Sequence, residues 1–194
     1  MDKRNCFKTN KKSTLQETTD IINITKSWIE KIVIGLNFCP FAAQPFKSNS
    51  IHYEVVVESN LNVVLGEFSK VCNQLIEDEA IETSLIILPE HFDDFEQYLD
   101  MIDLCEQLLI MENLEGVFQV ASFHPQYLFA GSEENDPSNY TNRSPFPMIH
   151  ILREDSLTTA IDKHLDVDSI HENNIKNARN LGLAYFKGTG FFKS

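Results

Sequence analysis

Apolar residues recur at helical spacing in three stretches of the chain. The first holds Ile22, Trp28, Ile29, Ile32, Val33 and Leu36, with Thr19 or Asp20 placed to cap its start and Pro40 to stop it. The second aligns Leu61, Val64, Leu65, Phe68, Cys72, Leu75 and Ile76 on one face, and the third Phe95, Tyr98, Leu99, Ile102, Cys105 and Leu109. Between and after them the pattern changes. "IHYEVVVES" is β-branched or aromatic with polar brackets, "TSLIILP" is a short continuous apolar run closed by Pro89, and "GVFQVASF" and "PMIHILRE" complete a set of four expected strands. Beyond the last strand, Ser156 is expected to cap a short helix through Lys163. Asp166 or Asp168 should cap a final one, with Val167, Ile170, Ala178, Leu181 and Tyr185 roughly in phase.

This order, α-β-α-β-α-β-long loop-β-α-α, predicts an α/β (or α+β) protein: a single domain with a four-stranded mixed sheet. Two strand-helix-strand units imply right-handed crossovers and a parallel core, with the last strand pairing either way. Residues 1–17 are polar, without apolar periodicity, and are expected to be a mobile tail; 18–187 form the globular domain and 188–194 a C-terminal tail. At 194 residues the chain is long enough for one full core, and two domains would each be small.

Charge narrows the partners. Acidic residues outnumber basic ones by 29 to 16, a formal net charge of -13, and Lys3, Arg4, Lys8, Lys11 and Lys12 in the polar tail take a good share of the positive charge. Such a field repels nucleic acid and anionic lipid surfaces. No apolar run approaches the roughly 20 residues needed to cross a bilayer, and the N-terminus lacks the apolar core of a secretory signal, so a cytoplasmic protein without nucleic-acid or membrane partners is expected. The four cysteines, Cys6, Cys39, Cys72 and Cys105, form no CxxC pair; Cys72 and Cys105 fall on apolar helix faces and read as core.

The segment 123–150, "FHPQYLFAGSEENDPSNYTNRSPFPMIH", is far longer than the roughly half-dozen residues of a typical connection. It leaves the third expected strand and re-enters the fourth, at the kind of strand end where α/β sheets bind ligands. Asn139, Thr141, Asn142 and Ser144 offer short hydrogen-bonding groups, Tyr140 an amphipathic ring and Arg143 a five-donor fork, a set suited to an anionic or amide-bearing small molecule. The competing reading is a self-packed Ω-loop whose aromatics cluster and whose amides cap turns. His124 and His150 stand at the two ends of the loop. They could act as acid and base, or ligate a metal with Asp136, Glu133 or Cys39, although no HxH or HExxH spacing is present. Cys39, in "GLNFCPFA", is the one cysteine outside a periodic apolar face and so the candidate thiol. Its pKa would rise just past a helix C-terminus, or fall if Pro40 opens a new turn with Cys39 as its cap.

Taken together, "WIEKIVIGLNFCPFA", "LEGVFQVASFHPQYLFAG" and "NYTNRSPFPMIHILRE" resemble the bacterial and plant family catalogued as domain of unknown function 1415, from about residue 22 to 185. The motif positions are Cys39, Pro40, His124, Pro125, Tyr140, Asn142, Arg143, Ser144 and His150. The resemblance implies a soluble protein of this size and carries no catalytic role with it. The residues themselves point first to a small-molecule enzyme performing group transfer or hydrolysis. In that reading His124, His150 and Cys39 are catalytic and Arg143, Asn142, Asn139, Tyr140, Thr141 and Ser144 hold the substrate. The alternatives are a non-catalytic metabolite-binding or adaptor protein and a His/Cys/carboxylate metalloprotein; cofactor, metal and oligomeric state stay open.

Overall fold

Four strands make one mixed sheet in the order β1-β2-β4-β3: β1 (Ile51–Val55), β2 (Thr83–Ile87), β3 (Phe118–Phe123) and β4 (Met148–Arg153). The structure is a computed structural model and describes residues 3–58, 60–162 and 168–192, with side chains from residue 15 onward except that of residue 168. β1 and β2 run parallel, joined through α3 (Leu61–Glu77), while β4 lies antiparallel between β2 and β3. The parallel core is therefore one pair of strands rather than three. The cause is in β4 itself: Met148, Ile149 and Ile151 are all fully buried, so both faces are apolar and a central place is the one that buries them. β3, reached through α4 (Phe95–Met111), is left at the edge.

The helices split between the faces. α3 and α4 cover one face, where Phe68, Cys72, Tyr98, Met101 and Cys105 pack on Ile86, Ile149 and Ile151. Both cysteines are fully enclosed, as their helix positions implied, and burial pushes each thiol up to about 12. Asn60 and Asp94 cap these helices by accepting from Asn62 and Gln97 N–H groups. On the second face, α1 (Lys3–Trp28), the residues 29–38 that follow it and α6 (Asp168–Gly188) pack through Trp28, Ile32, Phe38, Ala178 and Phe186 against Leu85, Ile87 and Met148. Among the described residues no helix is long and apolar enough to cross a membrane.

Several elements depart from the expected ones. α1 begins at Lys3, within the stretch expected to be a tail. Its helix runs straight through Thr19, whose hydroxyl donates to Leu15 O instead of capping a start. At Trp28 the helix widens into a π-helical segment, Ile29–Ile34, in which the Gly35 N–H reaches Glu30 O at 3.0 Å and the Phe38 N–H reaches Val33 O at 2.9 Å. Gly35 closes it because a Cβ there would run into the Lys31 carbonyl. A short α2 (Ala43–Ser48) precedes β1, and α5 (Glu154–Asp162) follows β4 directly, without Ser156 as its cap. Lys163, Asp166 and Val167 lie outside the described residues.

α6 corrects the expected phase. Gly182 takes φ 75°, ψ 166° inside it, and past that kink Phe186 is the buried residue while Tyr185 is 41% exposed. After Gly188 the chain folds back, and Phe192 buries itself edge-on to Tyr140 at 4.8 Å.

Candidate functional site

The long connection between β3 and β4 is a shaped loop whose polar groups are mostly spent on its own backbone. A 3-10 turn, Pro137–Thr141, opens with Asp136 accepting from the Ser138 N–H. Asn139, fully buried, accepts from the Phe129 N–H through Oδ1 and donates to Glu133 O through Nδ2. Arg143 donates to Tyr127 O and Glu134 O, both at 3.1 Å, and lays its guanidinium 4.7 Å over the Tyr140 ring. Tyr140 stacks its ring on Phe186 at 4.5 Å. Thr141 donates to Ser138 O, Asn142 to Ser122 O, and Ser144 to Phe146 O. These six residues, expected to hold a substrate, are brought together, and their contacts run within the loop, to Ser122 O of β3 and to Phe186 of α6.

The loop is also tied to α6. Asp136 accepts two bonds from Arg179, which with the Ser138 N–H hold its carboxyl well below the usual carboxylate range. The same helix grips the Cys39 turn, since Asn174 donates to Phe38 O at 2.6 Å and Asn177 to Leu36 O at 2.9 Å. Cys39 precedes the turn that leads into α2, whose cap position is Ala42 rather than Cys39. Burial pushes its thiol up, outweighing the Phe41 and Ala42 N–H groups that draw it down.

The two histidines do not meet. His124 is enclosed beside Phe95 and Tyr98 of α4, with ring centroids at 5.1 and 4.9 Å. Its Nδ1 accepts from the Gln126 N–H, so Nε2 carries the proton and donates to Phe92 O at 2.8 Å. Both nitrogens are spent, and burial lowers its pKa. His150 pairs in register with Leu85 and Ala121 and faces the opposite side of the sheet, the side of α1. An acid–base pair of His124 with His150 is therefore not formed, because the sheet stands between the rings. Among the described residues, no three His, Cys, Asp or Glu side chains gather as metal ligands would.

What the fold does build around His150 is an unfinished face. Ala121, Phe123, His150 and Leu152 remain partly exposed there, beside the buried Thr83, Leu85, Ile87 and Met148, whereas Ile149 and Ile151 on the α3/α4 face are fully buried. The Thr83 hydroxyl donates to Ile151 O at 2.6 Å, so the 2.8 Å contact between Thr83 Oγ1 and His150 Nε2 is donated by the imidazole. That fixes the tautomer and leaves Nδ1 as a free acceptor, for which no hydrogen-bond partner occurs among the described residues. Burial brings the His150 pKa down to about 4 and pushes Tyr53 up to about 12, so the imidazole and the phenol are both neutral at neutral pH. Trp28 lies edge-on to Phe123, at a centroid distance of 5.2 Å, and Phe123 lies 5.9 Å from His150. Thr83, Tyr53, Phe123 and Trp28 were readable in the sequence only as strand and helix core residues. The one available hint was a threonine at a strand start beside a strand that carries a histidine. A shallow hollow of about 410 Å³ lies elsewhere, lined by Glu172, Ile175, Lys176, Arg179 and Asn180 of α6 and by neither histidine.

The comparisons agree with the motif reading. The family model described as "Protein of unknown function (DUF1415)" matches residues 20–188. The chain belongs to that family. No curated protein and no solved structure matches the chain.

Proposed function

We propose that this protein is a small-molecule enzyme of the group-transfer or hydrolytic kind whose site is the part-open sheet face at His150. The observation that carries the reading is the His150 imidazole: oriented through Nε2 by Thr83, neutral, and with Nδ1 unspent on a face that the helices leave incomplete. Such a nitrogen can accept a proton from a bound hydroxyl, water or amide, which is the role of a general base. In this reading the 123–150 loop shapes the site from its rim, and Arg143, Asn139, Asn142, Tyr140, Thr141 and Ser144 keep the loop in place for it. His124 fixes the exit of β3. Cys39, kept as a neutral thiol, contributes bulk and a weak donor.

A thermal-shift screen of small amides, esters, alcohols and acids, followed by mass spectrometry of each stabilising compound after incubation, tests this. A compound consumed by the native protein and left intact by His150→Gln supports the base role. Equal turnover in both removes it. The second reading, a non-catalytic binding protein, is favoured by a specific observation: His150 has no second titratable group paired with it among the described residues. Compounds that stabilise the native protein and are recovered unchanged would select that reading.

A further inference from the structure

Trp28 is the single tryptophan of the chain and is 1% exposed. Among the described residues its indole Nε1 is the one buried side-chain polar atom without a hydrogen-bond partner. An indole N–H can only donate, and buried donors left unmade are rare enough in native proteins that each asks for a partner not supplied by the chain. A complementary acceptor lies on the same sheet face, open to solvent rather than buried. His150 Nδ1 can only accept, because Nε2 is committed to Thr83, and it too has no partner among the described residues. One ring joins them: Phe123 sits 5.2 Å from Trp28 and 5.9 Å from His150.

We infer that the Trp28 Nε1–H and the His150 Nδ1 lone pair are the donor and acceptor that recognise one neutral molecule carrying an acceptor and a donor side by side, a carboxamide in the simplest case, with Phe123 against its apolar part. The inference deepens the reading of the His150 face above by naming its substrate class. Two further features fit. Trp28 is the residue at which the helix widens into the π-helical segment, a departure common at functional sites, and Gly35 leaves the room its close needs beside the Lys31 carbonyl. The groups around it are uncharged at neutral pH, with a neutral imidazole and a phenol, so a carboxylate would lose its hydration without gaining an ion pair from them. Lys26, 5.0 Å over the Tyr53 ring, makes acetate the necessary control.

Because there is one tryptophan, the ¹⁵N-labelled full chain gives one indole N–H resonance to follow. Acetamide should move it saturably. N,N-dimethylacetamide, which keeps the acceptor and lacks the donor for Nδ1, should bind about tenfold more weakly, the value of one hydrogen bond. Acetamide binding to Trp28→Phe, followed by the His150 ring resonances, should weaken by a similar factor. If that variant does not fold, the native titrations with the two amides decide alone. An indole resonance that stays still, or drifts without saturating, overturns the inference. So does acetate binding as tightly as acetamide, or an indole held by one long-lived water that the amide leaves in place. Saturable binding without turnover of any amide sinks only the base role of His150; turnover with a motionless indole sinks only the pairing.

Discussion

The two faces of the sheet use the same kinds of residue to opposite ends. On the α3/α4 face, Phe68, Tyr98 and His124 are enclosed, and the polar atoms are matched: the Tyr98 hydroxyl donates to Met148 O and accepts from the Phe123 N–H, and both His124 nitrogens are used. On the α1 face the Trp28 indole keeps a buried donor unmatched, the His150 Nδ1 is open to solvent, and the strand residues Ala121 and Phe123 stay partly exposed. A buried polar group left unmade costs free energy. One face is therefore matched throughout these groups, and the other carries the cost of one unmade indole donor.

The largest separation of the two should come from truncating a ring on each. Phe68→Ala empties a fully packed site and should cost about 3–5 kcal/mol, whereas Phe123→Ala, at a site partly open to water, should cost about 1–2 kcal/mol. Chemical denaturation of both variants checks this, and equal losses would mean that the α1 face is as closed as the other. Acid gives the next effect. The His150 pKa in the fold is about 4, below the ordinary 6.5, so the unfolded chain binds the proton more readily. Its contribution is present in full above pH 6.5 and is lost as pH falls from 6.5 toward 4. The loss is on the order of 3 kcal/mol, to which His124, also lowered by burial, adds with the same sign. Unfolding curves from pH 7.5 to 4.5 should steepen in this window for the native protein and flatten for His150→Gln; an unchanged slope would mean that His150 protonates freely in the fold.

The local patterns of the chain were legible and their assembly was not. Leu75, Phe68 and Val64 announce α3 through a spacing that depends only on neighbours in the chain, and the same holds for α4. That β4 slides between β2 and β3 depends on pairing partners far apart in sequence; the hint was the apolar character of both faces of Met148, Ile149 and Ile151. Ile29, Ile32 and Val33 fit an α-helical stripe and a π-helical one equally well, so the widening at Trp28 left no mark in the pattern. Gly182 shifted the buried residue from Tyr185 to Phe186, which no fixed period can express. In the loop, composition gave the correct inventory of donors and acceptors. It could not say that Asn139 and Arg143 would find backbone carbonyls of the loop itself. The Trp28 deficiency is a property of the packed state alone.

A smaller effect tests the matching on the α3/α4 face. Tyr98→Phe keeps the ring and removes the hydroxyl that donates to Met148 O and accepts from the Phe123 N–H at the strand end. The expected loss is about 1–3 kcal/mol, with faster hydrogen exchange at Phe123. A loss without local exchange would place the effect in packing instead.

The smallest effect concerns the tie between the loop and α6, where two contributions can be pulled apart. Asp136 caps the 3-10 turn through the Ser138 N–H and pairs with Arg179 through both oxygens. Asp136→Ala removes both and should cost about 1 kcal/mol, the usual value of a cap. Asp136→Asn keeps an acceptor for the cap and loses the charge. If the cap dominates, Asn should restore most of the loss, and Arg179→Gln, at an exposed guanidinium, should be nearly silent. If Asn and Gln are each as damaging as Ala, the ion pair is the anchor. The carboxyl is held below its ordinary range, so the anchor is then fully present near neutrality and is lost only as strong acid protonates Asp136. The acid steps of the two faces would then separate on the pH axis, His150 between 6.5 and about 4 and Asp136 below it.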